Sequence, residues 1–216
     1  MSKMKERRSS PTIDEIAEAA LGVLSSEGPK ALSLRRIGEV LGTHHVAIFR
    51  RCGSFDGLLD VCADYIASGF PAIPDTLDWV AATQMRFEAA YDMWAEHADL
   101  IMLMSGRAWL GKSMTSRFYE PAMRSLIDSG MTSREAVTLF SILYRLTIGS
   151  VVSNKANHWT PWESRRALEK LGVENFPTLA KVEFEVEKPD SKISIREAIK
   201  RLLADTSALR AVSPDT

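Results

Sequence analysis

Four histidines and two cysteines are the residues of this chain best suited to hold a metal or attack a carbon centre. His44 and His45 stand close to Cys52, which raises metal binding first. Adjacent residues turn about 100° apart on a helix, so both rings cannot share one helical face, whereas zinc-binding histidines on a helix are spaced i, i+4. No metal site is therefore expected. No nucleophile, base and acid are spaced for covalent catalysis, and no glycine-rich loop is present to cradle a phosphate. Neither catalytic residues nor a cofactor are expected, and what remains is recognition chemistry.

The residues fit for recognition are concentrated between Ser33 and Leu59, in SLRRIGEVLGTHHVAIFRRCGSFDGLL. Leu34, Ile37 and Leu41 fall at i, i+3 and i+7, which predicts a short helix, and Gly42 stops it. A second run holds Val46, Ile48 and Phe49, and Gly53-Ser54 opens a third. Two short helices joined by a glycine-containing turn make a helix-turn-helix, whose second helix lies in the DNA major groove. That helix, predicted from about His44 to Arg51, turns Thr43, His44, His45, Val46 and Ala47 toward base edges.

The elements around this stretch all read as helices. Thr12-Ile13-Asp14-Glu15 has the S/T-x-x-E form of a capping box, and Ile13, Ile16, Ala17, Ala20, Val23 and Leu24 keep one face apolar up to Gly28-Pro29. A fourth helix runs from a Ser54 cap toward Gly69, with Leu58, Leu59, Cys62, Tyr65 and Ile66 on its apolar face. Pro71 to Pro74 marks a boundary. Beyond it, helices are predicted from about Thr76 to Glu96, from Asp99 through Leu110, from Ser113 to Ser129, and from a second box, Thr132-Ser133-Arg134-Glu135, to Asn154. Two further boxes, Thr160-Pro161-Trp162-Glu163 and Ser194-Ile195-Arg196-Glu197, open the last helices. Only Val182 to Glu187 alternates with period 2, which suggests an extended, mobile loop.

The expected architecture is all-α. It has a basic arm at 1–11, a three-helix DNA-binding domain with the helix-turn-helix at 12–70, a larger helical ligand-binding and dimerisation bundle at 71–210, and a tail at 211–216. The composition, 45% hydrophobic and 25% charged, supplies a core without staples. A net charge of -1 gives no whole-chain attraction to nucleic acid, so affinity must come from local clustering. Residues 1–10 are polar and basic with no apolar segment after them, so a cytoplasmic location with reduced thiols is expected. No apolar run approaches the ~20 residues needed to cross a bilayer, and no membrane role is expected.

All five tryptophans lie between Trp79 and Trp162, and seven of the methionines fall in mid-chain. Methionine and aromatic side chains make adaptable walls for an apolar pocket. Candidate lining residues are Met85, Trp94, His97, Met102, Trp109, Met123, Phe140 and Tyr144, with His97 as the polar anchor for an apolar or aromatic effector. On the helix predicted at 132–154, Ala136, Leu139, Phe140, Leu143, Thr147, Ser150 and Val151 form one side. Paired with Ile195, Ile199 and Leu202, that side is expected to make a four-helix homodimer interface.

The segment from 12 to 66, with LSLRRIGEVLG, THHVAIFRRC and GSFDGLL, resembles the DNA-binding domain of the tetracycline-repressor family. MRSLIDSGMTSREAVTLFSILYRLTIGSVV resembles that family's regulatory core more loosely. The resemblance implies a homodimer on a two-fold symmetric double-stranded DNA operator, released when a small effector binds. It also implies that Arg35 reads guanine, that His45, Val46 and Ala47 face bases, and that Ser33 contacts phosphate. Phe49 stands where the family has a phosphate-binding tyrosine, Arg51 where it has histidine, and Phe55 where it has lysine. Arg50 and Arg51 restore charge, and the helix start behind Ser54 remains an anion site. The competing readings are a small helical enzyme or carrier with a degenerate helix-turn-helix, and a regulator acting by protein contact through Val182 to Glu187.

Overall fold

The computed structural model describes residues 10–104, 111–156, 166, 168–178 and 191–212. The fold is all-α, with no strand among the described residues. Its helices are α1 (Ile13–Glu27), α2 (Leu34–Val40), α3 (His45–Cys52), α4 (Phe55–Ser68), α5 (Trp79–Glu96), α6 (Ala98–Met104), α7 (Lys112–Met114), α8 (Glu120–Asp128), α9 (Ser133–Ala156) and α10 (Ser191–Val212). A π turn, Thr115–Tyr119, joins α7 to α8. Two compact units result, one of residues 1–72 and 96–128, the other of 73–95 and 129–216.

In the first unit α1 starts on a closed capping box. The Glu15 amide donates to Thr12 Oγ1 at 3.2 Å, and the Thr12 amide donates to Glu15 Oε2 at 2.7 Å. Hydrogen bonding to Thr12 holds the Glu15 carboxyl below its usual range. The helix ends at Gly28, whose φ of 83° and amide bonds to Val23 and Leu24 oxygens close the last turn. Ile16, Ala20, Val23 and Leu24 pack with Ile37 of α2, Ile48 of α3 and Leu58, Leu59, Cys62 and Ile66 of α4. Ile13 departs from the expected face and is 37% exposed. Leu100 and Met104 of α6 join the same core, so the chain returns to this unit after α5. Ser113, at the start of α7, is fastened to α4: its amide donates to Asp64 Oδ1 at 2.7 Å and its hydroxyl to Oδ2 at 3.1 Å.

The second unit is built on α5, α9 and α10. Asp78 caps α5 by accepting from the Ala81 amide at 2.9 Å, which starts the helix three residues later than expected. Thr132 and Glu135 close a second capping box on α9. Ala136, Leu139, Leu143, Thr147 and Val151 of α9 are buried within the protomer, as are Ile195, Ile199 and Leu203 of α10. For Ala136, Leu139, Leu143, Thr147, Val151, Ile195 and Ile199 this corrects the expected place at a subunit interface, while the other expected residues, Phe140, Ser150 and Leu202, are half-buried. Asn154 Nδ2 donates to the Tyr91 hydroxyl at 3.0 Å, and Arg196 pairs with Glu88 at 3.0 Å.

Three further expectations are corrected. Helix α10 starts at Ser191, so Ser194 and Glu197 lie inside it rather than at its start. Nothing in Ser191-Lys192-Ile193 breaks a helix, and extending one turn backward adds backbone hydrogen bonds. Residues 112–128 are interrupted by the π turn, which the apolar spacing did not signal. Finally, Ser133–Lys155 is long and apolar enough to cross a bilayer by length and composition, with 28% of its apolar window buried. Counting uninterrupted runs missed it because Arg145 breaks the run without lowering the mean much. The Thr160 box, Trp109 and the 182–187 segment lie outside the described residues.

Candidate nucleic-acid interface

The helix-turn-helix is fixed from below by Ile37 and Ile48, both fully buried, and from within by Gly38. Thr43 donates its amide to the Gly38 carbonyl at 2.8 Å. A Cβ on Gly38 would lie 3.0 Å from the Thr43 oxygen and 3.1 Å from the His45 nitrogen, so the glycine permits the close approach of α2 to α3. Gly42 makes the turn with φ of 63°. The junction of α3 with α4 is equally tight. A Cβ on Gly57 would overlap the Cys52 carbonyl oxygen.

Above this base, Arg35, His44, His45, Val46, Phe49, Arg50 and Arg51 are all exposed, while Thr43 and Ala47 are half-buried. They lie in the first turn of α2, in the turn before α3, and along the whole of α3. Phe49, 51% exposed, and Val46, 40% exposed, are apolar groups turned to solvent without a packing reason. Arg35 is 85% exposed and its Nε donates to Glu39 Oε1 at 3.2 Å. Such an exposed i, i+4 pair is worth only about 0.3–0.5 kcal/mol, so little free energy ties the guanidinium to the carboxylate. Arg36 is different. Its Nη2 donates to Glu27 Oε1 at 2.7 Å and its Nε to Oε2 at 3.0 Å, locking α2 onto the end of α1. The Arg36 hydrogen bonds hold the Glu27 carboxyl below its usual range.

His44 is the N-cap of α3 rather than its first residue, and its Nδ1 accepts from the Val46 amide at 3.4 Å. Because a cap residue leaves the helical path, its ring meets that of His45 at 4.2 Å without the two sharing a helical face. Among the described residues no group of three or more His, Cys, Asp and Glu converges on a metal position. Ser33 caps α2 by accepting from the Arg36 amide at 3.1 Å, and Ser54 caps α4 by accepting from the Gly57 amide at 2.9 Å. Their hydroxyls are engaged in these caps, and the 14-residue α4 sets the positive end of its dipole behind Ser54.

The candidate effector residues divide between the units. Trp94, Phe140 and Tyr144 come together in the second unit. Tyr144 lies edge-on to Trp94 at 5.4 Å and stacks with Phe140 at 6.0 Å, and Phe87 reaches Phe140 at 5.5 Å. Met85 is 45% exposed on α5. His97, Met102 and Met123 belong to the first unit, and burial holds the His97 imidazole below its usual range, opposed by Glu96. A groove of about 530 Å³ in the first unit is lined by Asp14, Asp60, Asp64, Tyr65 and Lys112 and by none of the eight candidates. The buried Arg86 was missed by sequence reading. An arginine in register with Ala82, Thr83 and Ala90 on an otherwise inward face was the available signal.

Comparison with known proteins bears on the fold and the family. Residues 70–194 match the description of the tetracyclin repressor-like C-terminal domain. The HTH-type transcriptional repressor DrrR1 of Streptomyces coeruleorubidus is 26% identical over 144 residues, 66% of this chain and 53% of that protein. The chain thus spans about half the length of that curated relative. ActR of Streptomyces coelicolor, a TetR family protein solved in complex with (S)-DNPA, superposes with a TM-score of 0.78 at 24% identity, covering 93% of this chain and 98% of ActR. TetR from Acinetobacter baumannii AYE superposes at 0.63 with 17% identity, covering 93% and 98%. With an all-helical fold and a family description that matches more than half of its length, the chain belongs to the tetracycline-repressor family of transcriptional regulators.

Proposed function

We propose that the protein is a ligand-responsive transcriptional repressor that binds a palindromic operator as a homodimer and is released by a largely apolar small molecule. The observation that carries this reading is the exposed set Arg35, His45, Val46, Phe49, Arg50 and Arg51, standing on a buried Ile37–Ile48 base. Arg35 takes guanine O6 and N7, Ala47 contacts a thymine methyl, and Arg50, Arg51 and the α4 start hold phosphates. Residues 12–70 act as the reading head and 71–210 as the regulatory body, a division supported by the family match that begins at residue 70. A regulator of this kind works in the cytoplasm, where the DNA is.

The homodimer is supported by α9. Its buried stripe is satisfied within the protomer, yet Ile142 is 45% exposed, and a Cβ on Gly149, seven residues on and so on the same helical face, would meet open space. A second copy laid on this face covers apolar surface that water otherwise solvates. Two heads then meet half-sites one helical turn apart or a multiple of it, about 34 Å per turn.

The test is selection of DNA from a random pool by the full-length protein at low salt. Enrichment of a two-fold symmetric sequence is expected, and loss of its retention when an apolar effector is added. Retention of all sequences alike, or of none, defeats the reading.

A further inference from the structure

Arg86 is the only buried charged residue among those described, with 5% of its surface exposed. Its Nε and Nη1 are shut off from solvent and meet no hydrogen-bond acceptor among the described residues. Such an arrangement is costly. A guanidinium does not shed its proton to escape burial, and donors left unbonded in a low-dielectric site forfeit their water without replacement. Burial pushes the Arg86 pKa down, with the charge of Asp75 opposing that shift. A chain that keeps a strained charge of this kind generally uses it.

The same unit holds the complement of a flat ring. Phe87, next to Arg86 in sequence, reaches Phe140, which stacks on Tyr144. We propose that Arg86 is the anion anchor of the effector site, and that the effector is an aromatic acid whose carboxylate takes up the unbonded guanidinium donors while its rings lie against the Phe87–Phe140–Tyr144 aromatics. The proposal rests on the reading of residues 71–210 as the effector-binding body. It changes that reading in one respect: the polar anchor is a buried cation rather than His97, and the ligand is apolar except for one acidic group. Charge-assisted hydrogen bonds in a dry site are stronger than neutral ones, so an acid is preferred over its isosteric amide.

The experiment uses the full-length protein without DNA and compares 2-naphthoate with 2-naphthamide by titration calorimetry. At least roughly tenfold tighter binding of the naphthoate is expected. Arg86→Met should erase that preference, binding both probes alike. Arg86→Lys, which keeps charge but loses the planar donors, should keep part of it. In a thermal scan without ligand, Arg86→Met should melt at or above the wild-type temperature, because it removes an uncompensated charge. Equal affinity of the wild type for both probes, or binding of neither, overturns the proposal. So does a lowered melting temperature for Arg86→Met, which means that the arginine serves a partner within the protein. Acetate that protects as well as naphthoate overturns the aromatic part. Operator binding, measured separately by gel shift, reports on the repressor reading whichever way these results fall.

Discussion

At the residue scale, α2 carries two neighbouring arginines with opposite fates. Arg36 is spent on Glu27, while Arg35 holds only an exposed and easily broken pair with Glu39. Replacing Arg35 by alanine is therefore expected to leave folding unchanged and to weaken operator binding by about 1–3 kcal/mol, with relaxed preference at a single base position. Binding measured on a panel of operators changed at each base in turn checks this. Uniform weakening across the panel points instead to a phosphate contact. Sequence alone did not separate the two arginines, since both belong to one RR pair. Only the position of Glu27, nine residues away at the end of another helix, decides between them. Arg86 was hidden for a related reason, because an arginine on a helix reads as solvated until its neighbours are known.

At the scale of elements, the short-range signals were the legible ones. Ser33, Ser54, Thr12 and Thr132 cap the helices that they were expected to open, since a cap needs only its own next three residues. Ser194-x-x-Glu197 has the same pattern and lies inside α10, because a pattern marks a helix start only when the preceding residues leave the helical path. The contrast is measurable. Thr132→Ala is expected to destabilise the protein by about 1 kcal/mol through loss of the cap, whereas Ser194→Ala, at an interior position, should stay within about 0.5 kcal/mol. Denaturant unfolding of both variants decides it, and equal losses contradict the observed start of α10. The return of residues 96–128 to the first unit was not legible, since helix faces declare that they are apolar and not which partner they meet.

At the scale of the molecule, the face of α9 that remains exposed differs from the one that spacing favoured. The strongest apolar stripe was claimed by the chain's own core, and Ile142 and Gly149, seven residues apart on one face, are what the proposed second copy would cover. Ile142→Glu places a charge on that face and nothing in the protomer's core. It is expected to give monomers that keep their helicity, with operator affinity reduced by two or more orders of magnitude because one half-site must hold alone. Sedimentation velocity checks the mass and circular dichroism checks the fold. A dimer that survives the change sends the interface elsewhere.

The contact between Gly57 and the Cys52 carbonyl leaves no slack between the recognition helix and the helix that follows it. At its far end, α4 is clasped through Asp64 to Ser113. On the proposed function, α4 is then a stiff lever arm: a displacement of the clasp would carry the helix-turn-helix with it as one piece.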